Sequence, residues 1–268
     1  MGAGGITSDI AEISYGTAAV IEIFSRKYVT HKDMDFFTWG SAIPNTWVLE
    51  GSVWRGYWMI SWFEKEFAKH EVALAKEKGV SPESILDSEM EKVPPGSEGL
   101  ILQPYWSPFV ADPSSKGAII GFSGNHTRIH IYRAIIEGIA YELRRVKEVI
   151  ESYTGYKIKE LRAGGGGSRS REIMQITADI FNLPVKKIHT EHLAALGAAI
   201  DAAVATKTYP DFETAVSKMV KVTETFLPNP KNAGVYDRLF NEVYKKIYPS
   251  LKDVYHTIDN ILKQKSSK

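Results

Sequence analysis

No cysteine occurs in the 268 residues, which excludes disulfides, thiolate metal sites and cysteine nucleophiles together. Nor is there an excess of charge of one sign: 33 Lys and Arg stand against 32 Asp and Glu, a formal +1. No global field therefore draws in nucleic acid or an acidic membrane surface, and any bound anion has to be caught locally. No run is long and apolar enough to span a bilayer, and nothing near the start resembles a charged region followed by an apolar signal core. The lack of cysteine fits a reducing compartment, and cytoplasm is the default expectation. Metal-ligand clusters such as HExxH are missing, and the seven histidines are scattered, each reading as a surface or packing residue.

What is present is an ordinary globular composition, 44% hydrophobic and 24% charged, long enough for a sizeable core. Ala11 to Tyr15 and Ala18 to Phe24 read as two strands joined by a tight Gly16-Thr17 turn. A chain that opens at once on glycine turn and strand suggests that a segment precedes it. A strand near Thr46 to Leu49 is followed by a helix in which Trp54, Trp58 and Trp62 recur every fourth residue, a stripe suited first to core or interface packing and second to stacking on a sugar or a base. Ser81 to Val93 is a short helix with Pro82 in its first turn. Strands at Leu100 to Gln103 and Ala118 to Phe122 flank a proline-bearing loop. The longest helix runs from Thr127 to Glu151, with Tyr132, Ile135, Ile136, Ile139, Leu143, Val146 and Ile150 on one buried face and Gly155 past its end. The tail after "FLPNPKNAG" is helical, with Tyr236, Phe240, Tyr244 and Tyr248 four apart.

The sharpest local signal is "RAGGGGSRSREIMQITADIFNLPV". A strand over Ile158 to Ala163 runs into Gly164 to Gly167, and Ile173, Ile176, Thr177, Ile180 and Phe181 then mark a helix. Strand, glycine turn and helix put free backbone N–H groups and the positive end of a helix dipole at one spot, which suits a phosphate. Ser168 and Ser170 can cap the helix or touch the ligand. The run is not a Walker A loop, because no GK[ST] follows, and not a dinucleotide fingerprint, because the third glycine after G-x-G is missing. "SYGTAAV" offers a second grip: Gly16 and Thr17 present adjacent amides and a hydroxyl. Two such turns suggest two sides of one cleft.

These segments, in this order, resemble the C-terminal domain of the FGGY family of carbohydrate kinases, nearly end to end. "ISYGTAAV" is similar to the family's second phosphate segment, "KGAIIGFSGNHTRIHIYRAIIEGIAYELR" to its C-terminal signature, and "AGGGGSRSREIMQITADIFNLPV" to its adenosine loop. "LEGSVWRGYWMISWFEKEF" and "EHLAALGAAIDAA" resemble the helices that accompany them. The resemblance implies an α/β, actin-like ATPase (ribonuclease-H-like) fold, a mixed sheet flanked by helices. It implies one nucleotide-binding domain over residues 1–268, with a core of about 1–206 and a helical tail of about 211–264. ATP with Mg2+ would be the cofactor. Gly16 and Thr17 would hold the outer phosphates, Gly165, Gly166 and Gly167 the inner phosphates and ribose, Gly56 would face the phosphates, and Ser170 would lie near the adenine.

The family often has a second small residue where this chain has Tyr57. The family's catalytic aspartate precedes the segment matched by "GAGGITS", so it is expected upstream of Met1, together with the N-terminal sugar-binding domain. Asp9 follows the glycines and reads as a turn residue. The isolated chain is then expected to bind Mg-ATP weakly and to phosphorylate nothing. Its partner would be the sugar-binding domain, its substrate a carbohydrate or polyol left unspecified by this half. Self-association as a homodimer would use the hairpin or the tryptophan helix. A non-catalytic nucleotide-binding module and another actin-like ATPase remain open as alternatives.

Overall fold

The computed structural model describes residues 1–266. Its frame is a seven-stranded mixed sheet. β1 (Ile10–Tyr15) and β2 (Ala19–Ser25) form the expected hairpin. β4 (Trp47–Val53) pairs antiparallel with β2 over its whole length, and a short edge strand, β3 (Phe37–Gly40), closes that side. On the other side of β1 lie β7 (Glu160–Gly165) and β8 (Val185–Ile188), both parallel, and then β9 (Val222–Phe226), antiparallel. A two-stranded ladder, β5 (Ile101–Gln103) with β6 (Ala118–Ile120), stands apart.

One face of the sheet carries α4 (Arg128–Thr154), whose apolar stripe is buried as its period requires. Thr127 and His130 form a capping box at its start, and Gly155 ends it with φ 76°, a left-handed turn that costs glycine little. Gly51 in β4 admits Val146 of this helix, where a Cβ would collide with it. In "YRAIIEG" the arginine and glutamate are structural. Arg133 Nε donates to Glu137 at 2.7 Å, and Tyr236 Oη, Gly96 N and Ser97 Oγ donate to the same carboxylate at 2.7, 3.0 and 2.9 Å. Gly138 brings α4 against the Leu102 carbonyl of β5. Beside α4 lies α5 (Arg171–Phe181), capped by Ser170 and ended by Asn182 in the left-handed region.

Away from α4 lie α6 (Leu193–Ala205) and α7 (Phe212–Met219), which share a small core of Ile200, Ala215 and Val216, and Leu193 packs where Gly164 of β7 has no side chain. The tail holds α8 (Pro230–Arg238), a π-helical turn and α9 (Lys245–Ser266), and it returns Tyr236, Phe240 and Tyr244 to the main core. It is not helical throughout, because β9 adds an edge strand within it.

The tryptophan helix starts later than its spacing suggests. α1 is Trp58–Phe67, followed by α2 (Lys69–Lys78) and α3 (Pro82–Met90). Trp54 sits in the preceding turn, 53% exposed, so the three-residue stripe reduces to Trp58 and Trp62. The reason is tertiary: Tyr57 N and Trp58 N donate to the carbonyls of Gly16 and Thr17, both at 3.2 Å, so the hairpin tip fixes where α1 begins. Among the described residues no helix is long and apolar enough to cross a membrane.

Candidate functional site

β1 and β7 are neighbours and run in the same direction, with Tyr15 opposite Gly165. The two glycine turns, far apart in sequence, therefore leave the sheet side by side at the carboxyl ends of parallel strands, where open α/β sheets place their ligands. Beyond them lies a cleft of about 510 Å3, a size suited to a small molecule. Its floor is Tyr15, Gly16 and Thr17 with Gly166, Gly167 and Ser170, and its walls come from α1, α3, α4 and the first turn of α5.

The glycines separate by what a side chain would meet. A Cβ on Gly165 would stand 2.6 Å from the Tyr15 carbonyl, and its φ of 82° is itself a glycine conformation. Gly164 makes room for Leu193, and Gly167 for Tyr57 at 2.6 Å and Tyr15 at 2.9 Å. Gly56 lets its loop lie on the backbone of Ala19. Packing explains each of these. Gly16 and Gly166 differ: the nearest atoms to a Cβ would be Ala18 O at 3.5 Å and Tyr15 O at 3.9 Å, so neither needs its missing side chain for the fold. Both face the cleft. Of the seven residues singled out, Gly16, Thr17, Gly166, Gly167 and Ser170 line the cleft together, whereas Gly56 and Gly165 stand behind its surface.

Sequence reading missed the α3 wall. Ser81, Ser84 and Asp87 recur every third residue on the helical face turned to the cleft, and Glu83 joins them. Asp87 is 8% exposed and accepts a hydrogen bond from Tyr132 Oη at 2.9 Å. Burial pushes its carboxyl up to about 6, opposed by hydrogen bonds from Ser170 and Tyr132 and reinforced by Glu172 and Glu83. Glu64, on α1, is raised to about 7 by burial and by Glu83, and its Oε1 has no partner. The cation lining the cleft is Arg169, beside the glycines and doubly bonded to Glu191. The cleft is thus polarised: amides, a hydroxyl and an arginine at the glycine end, carboxyl groups along α3.

Asp9 lies in a turn, bonded to Thr7 at 2.7 Å and paired with Lys159 at 3.5 Å. None of the seven histidines lines the cleft. Among the described residues no group of three His, Asp or Glu side chains could hold a metal ion.

The model of the C-terminal domain of the FGGY family of carbohydrate kinases matches residues 11–206. An uncharacterized sugar kinase, YgcE, of Escherichia coli strain K12 is 33% identical over 92% of this chain, and xylulose kinase of Lactococcus lactis subsp. lactis is 31% identical over 96%. Among solved structures, ligand-bound xylulose kinase from Lactobacillus acidophilus superposes with a TM-score of 0.82 at 26% identity, over 96% of this chain. In each case the match covers 50% of the other protein, so the chain spans about half the length of these relatives.

Proposed function

Because the chain belongs to the FGGY family of carbohydrate kinases and matches that family's C-terminal domain, we propose that it is the ATP-binding half of a sugar or polyol kinase. The observation that carries this reading is the pair Gly16 and Gly166, bare of side chains without a packing reason, at the ends of adjacent parallel strands. ATP, when bound, supplies the γ-phosphoryl group that is passed to a carbohydrate hydroxyl.

Phosphoryl transfer asks a protein mainly for positioning and for neutralisation of developing charge. The amides and hydroxyl at Gly16 and Thr17 suit the outer phosphates, and Gly166 admits the inner phosphates to the main chain. Gly165 and Gly167 act by shape, holding the run against Tyr15 and Tyr57. Gly56 acts at one remove: it seats the loop before α1 on β2, so that α1 can hold the hairpin tip. Mg2+ fits as an ion carried on the phosphates, since the glycine end offers one hydroxyl and no cluster of acids. Ser170 and the α3 wall are left for the nucleoside.

The base that orients the sugar hydroxyl, and the sugar pocket itself, belong on this reading to an upstream half. α6 suits the contact with it. That helix is apolar almost throughout, yet Ile200 is its one buried residue, and Ala194, Ala195, Ala198, Ala199 and Ala202 are exposed. Such a face calls for a partner. Without one it gives two copies a surface to meet on, and a kinase drawing on ATP is expected in the cytoplasm.

Calorimetric titration of Mg-ATP into the chain tests the reading, with Thr17→Val and Gly166→Val as comparisons. Binding that both variants weaken at least tenfold is the expected result. Equal affinity in still folded variants would remove the glycine turns from the site.

A further inference from the structure

Building on the nucleotide reading, we propose that Asp87 selects the base: as a neutral acid it pairs with adenine, and as a carboxylate it turns the same pocket toward guanine. The groups facing it come from four elements. Glu83 lies on its own helix, Tyr132 on α4, Tyr57 before α1, and Ser170 with Glu172 at the start of α5. None is a cation. Arg169 is held at the glycine end by Glu191. Burial, with the acids Glu172 and Glu83 beside it, makes the carboxyl hold its proton more tightly than the hydrogen bonds from Ser170 and Tyr132 loosen it, which gives the rise to about 6 in the open cleft. A base laid over it removes more water and strengthens the same tendency.

The bases differ in what they present. Adenine offers an amino donor beside a ring-nitrogen acceptor on either of its polar edges. A carboxylic acid matches both, its O–H donating to the ring nitrogen and its carbonyl accepting from the amino group. A carboxylate matches the amino group alone and repels the ring nitrogen. Guanine offers two adjacent donors, the ring N–H and the amino group, and a carboxylate accepts both. The triphosphate and ribose are common to the two nucleotides, so their contacts cancel in a comparison.

The test is the affinity of Mg-ATP and of Mg-GTP for the chain, measured by calorimetry from about pH 5.5 to pH 8. The ratio of ATP to GTP affinity is expected to fall as pH rises, by up to about tenfold per unit. Asp87→Asn carries the donor and acceptor pattern of the neutral acid, so it should keep ATP, lose GTP and flatten the ratio. Wild-type protein that binds both nucleotides in a pH-independent ratio would overturn the proposal while leaving the nucleotide cleft intact, as would an Asp87→Asn variant that keeps the slope. Failure of both nucleotides to bind at any pH would overturn the cleft assignment, and this proposal with it.

Discussion

Four glycines in a row answer to different neighbours, and residue by residue the run is not one motif. Gly164 yields to Leu193, Gly165 to the Tyr15 backbone and Gly167 to Tyr57, whereas Gly166 yields to nothing in the protein. That difference can be measured. Gly165→Ala forces a side chain into a glycine-only conformation and a backbone contact, and should cost about 1–3 kcal/mol in urea unfolding. Gly166→Val should leave the unfolding free energy within about 0.5 kcal/mol and act on nucleotide affinity alone. Equal destabilisation by both would return Gly166 to the packing glycines. The sequence shows four identical letters here, and only the neighbours tell them apart.

At the scale of elements, local signals were dependable where the cause is local. Ser81 and Ser170 cap α3 and α5, Pro82 opens α3, and Gly155 and Asn182 close α4 and α5, all readable from spacing. They failed at α1, whose start is set by hydrogen bonds to the hairpin tip, and at β3 and β9, short edge strands with largely exposed patterns. The Arg133–Glu137 pair joins α4 to the turn at Pro94, Pro95 and Gly96 and to α8 through Tyr236. Glu137→Ala would leave a buried guanidinium and three donors unanswered. A loss of about 3–5 kcal/mol is expected from denaturant unfolding. A loss below about 1 kcal/mol would mean that the network does not tie the tail to the core.

For the molecule as a whole, the uncovered α6 sets the prediction. On the proposed reading, a sugar-binding half produced separately and added at a hundred times its dissociation constant should stabilise the chain by about 2.7 kcal/mol and give phosphoryl transfer. Ala199→Glu, on the exposed face, should abolish both effects without lowering the stability of the chain alone. A sugar-binding half that gives transfer equally well with this variant would place the contact elsewhere. The order of segments, the strand-glycine-helix unit and the caps were determined by the sequence by itself, because each rests on neighbours within a few residues. So, through resemblance, was the family. Only the tertiary structure decided that β1 and β7 lie side by side, that one glycine of the four is bare without a packing reason, that Asp87 lines the cleft, and that the alanine face of α6 is exposed. The physical reason is common to all four: periodicity shows which residues share a face, whereas what that face meets depends on pairings between segments distant in the chain.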